Sequence, residues 1–172
     1  MRTLETRYAQ ALLELTGDEE GLRAGGSLLT GDPALWKALN NPCVPGKEKD
    51  RVLCRLLEGK VSRELFSFFR LLCRRERLSL LPAVQRRYHQ LKLEREGGAL
   101  AVYRCARQPD PADLARLGDA LKKRHGLSRI EFQVMLDPQL LGGFVLQLKG
   151  VTYDKSVRGM LRDLRRSLKE RE

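Results

Sequence analysis

The hydrophobic pattern of this chain changes period at Gly97-Gly98, and that change constrains the fold more than any other feature. Before the double glycine, apolar residues recur at the spacing of one face of an α-helix. After it, Ile130, Phe132, Val134 and Leu136 alternate with Glu131, Gln133 and Met135, the pattern of a half-buried strand. A length of 172 residues accommodates two small domains. The reading is therefore an all-α, six-helix N-terminal bundle over residues 1–97, followed by a small α/β domain over 98–172.

Two N-terminal segments carry more apolar surface than a simple amphipathic helix needs. From Thr3 to Leu15, Leu4, Tyr8, Ala11 and Leu15 share one stripe. Ala9, Leu12 and Leu13 widen it to roughly 200° of arc. After a capping Ser62, the apolar residues Leu65, Phe66, Phe68, Phe69, Leu71, Leu72 and Cys73 cover roughly 220°. A helix of that kind lies deep in a core or serves two contacts at once. The segment between, residues 18–31, contains Gly21, Gly25 and Gly26, which weaken a helix, so it is expected to be short or loose. Asp32-Pro33 starts a short helix from Ala34 to Leu39. Pro45-Gly46 starts another, with Val52, Leu53, Leu56 and Leu57 inward and Gly59 as its stop. A final helix runs from about Leu80 to Glu96, with Leu81, Val84, Tyr88 and Leu91 on one face.

In the second half, Leu100 to Ala106 reads as a strand. Asp110-Pro111 opens a helix with Leu114, Leu117 and Leu121 inward and Gly126 as its stop. Phe144, Leu146 and Leu148 form another alternating strand, entered through Gly142-Gly143. Asp154 is expected to cap the last helix, which has Val157, Leu161 and Leu164 on one face.

A formal net charge of +11 points to an acidic partner surface: nucleic acid, anionic lipid or acidic protein. The basic residues are mixed with acidic ones along helices, as in Lys47-Glu48-Lys49-Asp50, which suits a solvated face or a protein partner better than a nucleic-acid groove. No apolar run approaches the ~18 residues that span a bilayer. Met1-Arg2-Thr3-Leu4-Glu5 does not open a signal peptide. A soluble, cytosolic chain, or one held at a membrane by its partners, is expected. Cys43, Cys54, Cys73 and Cys105 form no CxxC pair and read as structural thiols in a reducing compartment. Gly46-Lys47 and Gly59-Lys60 lack the rest of a phosphate loop, and no serine lies in GxSxG. His125, just before Gly126, is expected to meet the last carbonyls of its helix, and neither it nor His89 reads as catalytic. Trp36 suits a core or a domain contact. No catalytic, cofactor-binding or metal-ligating residues are expected.

Several stretches together resemble one family. These are Arg7-Tyr8-Ala9-Gln10-Ala11-Leu12, Asn41-Pro42 with Lys47, Arg77-Leu78-Ser79-Leu80-Leu81-Pro82, and Asp137-Pro138. Leu141-Gly142-Gly143-Phe144-Val145-Leu146, Asp154 and Ser156-Val157-Arg158-Gly159-Met160-Leu161 complete the set, in the same order along the chain. The family is the delta subunit of bacterial F-type ATP synthase, the counterpart of the mitochondrial oligomycin-sensitivity-conferring protein. The resemblance implies a non-catalytic stator subunit without cofactors, held at the cytoplasmic face of the inner membrane through its complex. It implies that the N-terminal helix of an alpha subunit docks between the first and fifth helices. Tyr8, Ala11, Ser67 and Leu71 match the family's contacts, and Leu15, Phe68 and Leu72 join them by position. Leu15 and Phe68 fit the bundle core equally well. It also implies that the C-terminal domain meets the b subunits of the stalk. Val157, Leu161 and Leu164 are the candidates, with Arg158, Arg162 and Arg165 beside them, although a helix packed on a small sheet would bury the same apolar stripe. The rival reading, a basic nucleic-acid-binding protein with a helical domain, explains the charge but not the two wide apolar helices.

Overall fold

The computed structural model describes residues 3–169. The chain separates into two compact units, one reaching Lys92 and the other beginning at Leu93. The first consists of α1 (Leu4–Leu15), α2 (Glu19–Thr30), α3 (Pro33–Asn40), α4 (Gly46–Leu57), α5 (Arg63–Arg74), a single 3-10 turn (Leu78–Leu80) and most of α6 (Leu81–Arg95). Short polar side chains set the helix starts. Asp18 accepts from the Gly21 N–H at 2.8 Å, Asp32 from Ala34 at 2.8 Å with Pro33 in the first turn, and Ser62 from Leu65 at 3.4 Å. Leu12, Leu22, Leu29, Leu53, Leu65, Phe69 and Tyr88 meet in one core. The fully buried Tyr88 hydroxyl donates to the Thr16 carbonyl at 2.6 Å, so the phenol enters the core with its polar atom satisfied. Burial pushes that phenol's pKa up.

The glycine-rich second segment is a full helix, contrary to expectation. Its glycines are points of close approach. A Cβ on Gly25 would lie 2.7 Å from the Phe69 ring, and one on Gly21 would lie 2.8 Å from the Leu65 side chain. Gly26 abuts Gln85, whose amide donates to the Leu22 carbonyl at 2.8 Å. Each glycine costs about 1 kcal/mol of helix propensity, and packing against α5 and α6 offsets it. Elsewhere Asp50 of α4 accepts from Arg70 and Arg74 of α5, each at 3.0 Å, and the Arg70 guanidinium lies over the Phe66 ring. The Arg70 hydrogen bond, against an opposing desolvation, holds the Asp50 carboxyl below its ordinary pKa.

The two units part inside α6, before Gly97-Gly98. Leu93 is buried against Gly98, and the Gly98 N–H donates to the Leu93 carbonyl at 2.8 Å, so the last turn of α6 packs as part of the second unit. That unit continues with β1 (Ala99–Cys105), α7 (Pro111–His125), β2 (Ile130–Leu136), β3 (Gly143–Leu148), β4 (Val151–Ser156) and α8 (Val157–Lys169). The sheet order is β2-β1-β3-β4. β1 and β2 are parallel and joined through α7, whereas β3 runs antiparallel to both β1 and β4. Ala101, Tyr103, Leu121, Leu146 and Leu148 form its core, and the Tyr103 ring stacks on Phe144 with centroids 4.9 Å apart.

β4 runs through Asp154, where a helix cap was expected. Lys149 and Gly150, at φ 49° and 80°, make the tight hairpin turn that returns β3 into β4. Asp154 lies inside β4 and does not cap α8. Its carboxylate accepts from the Ser156 N–H and hydroxyl, and the Ser156 oxygen in turn accepts from the Gly159 N–H at 3.0 Å. His125 also departs from expectation: its Nε2 meets the Tyr153 hydroxyl of β4 at 2.9 Å.

Candidate functional site

Along α1 and α5 the apolar arcs exceed what the core can take, and the excess forms an open groove of about 620 Å³. Leu12 and Phe68, 1% and 8% exposed, make its floor. The Tyr8 and Phe68 rings meet edge to face with centroids 6.2 Å apart, which sets the shape of that floor. Leu15 at 70% exposure and Leu71 at 43% form the walls, with Ala11 between them on the α1 side. Ser67 bends its hydroxyl back to the Arg63 carbonyl at 2.9 Å, so this polar residue presents little free hydrogen-bonding capacity to the groove. Arg63 and Glu64, in the first turn of α5, close one rim.

The structure thus brings Tyr8, Ala11, Leu15, Ser67, Phe68 and Leu71 together. Leu72 is a correction. It is fully enclosed in the core, because one residue along α5 rotates the side chain by about 100°, from the groove to the interior. Leu15 lies outside the core, whereas Phe68 belongs to the core and the groove alike. Leu12, Arg63 and Glu64 were missed. A signal for the rim existed in the sequence, since Arg63, Ser67 and Leu71 are spaced four apart and share one face of the helix.

On α8, Val157 is 40% exposed, Leu161 57% and Met160 56%, so the reading of Val157 and Leu161 as core residues fails. The Leu164 side chain lies outside the described residues. Arg158, Arg162 and Arg165 are exposed, and Arg162 pairs with Asp154 at 3.0 Å. Hydrogen bonds from Ser156 hold the Asp154 carboxyl below its ordinary pKa, with the Arg162 charge adding to them.

Among the described residues no group of three or more His, Cys, Asp or Glu side chains could hold a metal ion, and no helix is long and apolar enough to cross a membrane. Cys73 and Cys105 are buried, and desolvation raises both thiols. Apolar furrows of this kind between two helices belong to the class of proteins that receive a partner's amphipathic helix.

Comparison with known proteins gives the family. The family model of the ATP synthase delta (OSCP) subunit matches residues 4–168, and the chain belongs to that family. It is 31% identical to the ATP synthase subunit delta of a Synechococcus strain, over 98% of this chain and 96% of that protein. It is also 31% identical to the ATP synthase subunit delta of Leptospira interrogans, over 96% and 90% of the two chains. Among solved structures, a chain of the Toxoplasma gondii mitochondrial ATP synthase hexamer shares its fold, with a TM-score of 0.72 at 20% identity over 96% of this chain and 97% of that one. The family is a structural part of the synthase, and the chain is a peripheral-stalk subunit of it. The nucleic-acid reading finds no support.

Proposed function

We propose that the groove between α1 and α5 receives an amphipathic N-terminal helix of the alpha subunit, and that the C-terminal domain holds the b subunits of the stalk. On this reading the six helices of residues 1–97 cap the head, and residues 98–172 meet the stalk through α8. Val157, Leu161 and Leu164 would supply apolar contact there, and Arg158, Arg162 and Arg165 would face acidic stalk residues. The complex would hold the chain at the cytoplasmic side of the membrane, with no catalytic step of its own.

The observation that carries this reading is the open apolar groove, with Leu15 and Leu71 exposed on both sides of a Leu12–Phe68 floor. Covering it releases water from apolar surface at about 25 cal/mol per Å², less the cost of ordering the partner segment. Two separate contacts on one chain reinforce each other, because engaging one raises the effective concentration of the other. That is how contacts of moderate strength resist the torque of the rotor.

The test is reconstitution of synthase stripped of this subunit. Wild-type chain restores proton-driven ATP synthesis. The Tyr8→Ala/Leu71→Asp double variant leaves ATP hydrolysis by the head intact but fails to restore synthesis. Full restoration of coupling by that variant would remove the groove from the mechanism.

A further inference from the structure

We infer that the groove's occupant is recognised at one end by charge as well as by apolar fit, through a carboxylate that binds Arg7 and Arg77; this rests on the helix-in-groove reading above. A second recess of about 400 Å³ continues the groove, and the two share Tyr8 and Ala11. Its remaining lining is Leu4, Arg7 and Arg77, so it holds two guanidinium groups and no carboxylate. Neither arginine makes an ion pair among the described residues. Arg77 is half-buried, and its Nη1 donates to the Tyr8 hydroxyl at 3.0 Å. That bond fixes the guanidinium beside the groove and leaves its other N–H groups to be used. Arg77 begins the approach to the 3-10 turn, held by its backbone N–H on the Leu72 carbonyl at 2.9 Å, so its position comes from the packed end of α5.

The opposite rim carries Arg63 and Glu64, a charge of each sign. The groove is therefore electrostatically asymmetric: one end is uncompensated and positive, the other balanced. A planar guanidinium with its fork already oriented binds a carboxylate with little further loss of entropy. An amphipathic helix with an apolar stripe and an Asp or Glu flanking that stripe at one end would satisfy both features. The charge then sets which way the helix lies, because reversing it would leave the arginines unpaired and take the carboxylate to Glu64.

The test uses the full chain and two synthetic peptides spanning the N-terminal helix of the cognate alpha subunit, one native and one with every Asp and Glu replaced by its amide. Arg7→Gln, Arg77→Gln and the double variant are titrated with each. The double variant is expected to lose about tenfold in affinity for the native peptide and less than twofold for the amide peptide, with Arg7→Gln alone showing the same selectivity in smaller measure. Rising salt weakens the native peptide's binding more than the amide peptide's. Equal loss for both peptides, or no loss for either, overturns the carboxylate assignment. Leu71→Asp separates the two levels of the reading. If it binds both peptides as wild type does, the groove itself is wrong, whereas loss there with no selectivity at the arginines removes only the charge recognition.

Discussion

Gly25 shows how closely single residues set this fold. An added Cβ there would press on the Phe69 ring at 2.7 Å and sit 3.1 Å from Val61. Gly25→Ala is expected to cost about 1–3 kcal/mol through overpacking, in spite of alanine's better helix propensity, read as a lower urea midpoint. In the sequence the glycines signalled a weak helix, because propensity is local and the aromatic ring they receive lies more than forty positions away. Asp50 carries a pH-dependent contribution. Its folded-state carboxyl, hydrogen-bonded by Arg70, binds a proton less readily than the unfolded one, whose ordinary value is 3.8. The ion pair therefore stabilises the fold above that value, and the contribution is lost as pH falls through the lower folded-state pKa. Asp50→Asn should lower stability at neutral pH and narrow the difference from wild type under acid, measured by denaturant titration from pH 7 to pH 3. An unchanged gap across that range would contradict the assignment.

At the level of elements, α5 divides its apolar residues between two tasks. Leu72 faces the core and Leu71 the groove. Leu72→Ala should lose about 2–5 kcal/mol of stability. Leu71→Ala should cost well under 1 kcal/mol and weaken partner binding instead. Paired melting and binding measurements separate the two effects. That α1 and α5 had surface to spare was legible in their wide arcs, since an arc is a property of one helix. Which edge of the arc faces outward depends on neighbouring helices, so Leu72 was misplaced and Leu12 overlooked. β4 escaped for another reason. Its Asp154 and Lys155 suit an edge strand but read as polar loop, and Lys149-Gly150 is a weaker hairpin signal than Asn-Gly. The exposed stripe of α8 could not be assigned from periodicity, which is identical for a helix packed on its own sheet and one awaiting a partner.

At the level of the whole molecule, the change of period near Gly97-Gly98 revealed a helical part followed by an α/β part, because each period reports its own kind of core. Its position was less legible: the compact units part at Leu93, inside α6, and the Leu93 side chain packs on Gly98 beyond the end of that helix. The charge of +11 identified no partner, since charge sets attraction and not shape. The central claim is that α1 and α5 expose apolar surface because a foreign helix covers it. Calorimetric titration of the full chain with the N-terminal peptide of the cognate alpha subunit tests it most directly. Saturable one-to-one binding with a negative heat-capacity change, lost by at least a hundredfold in a Tyr8→Ala/Leu71→Asp variant that keeps its far-ultraviolet circular dichroism, is the predicted result. Undiminished binding by that folded variant would contradict it.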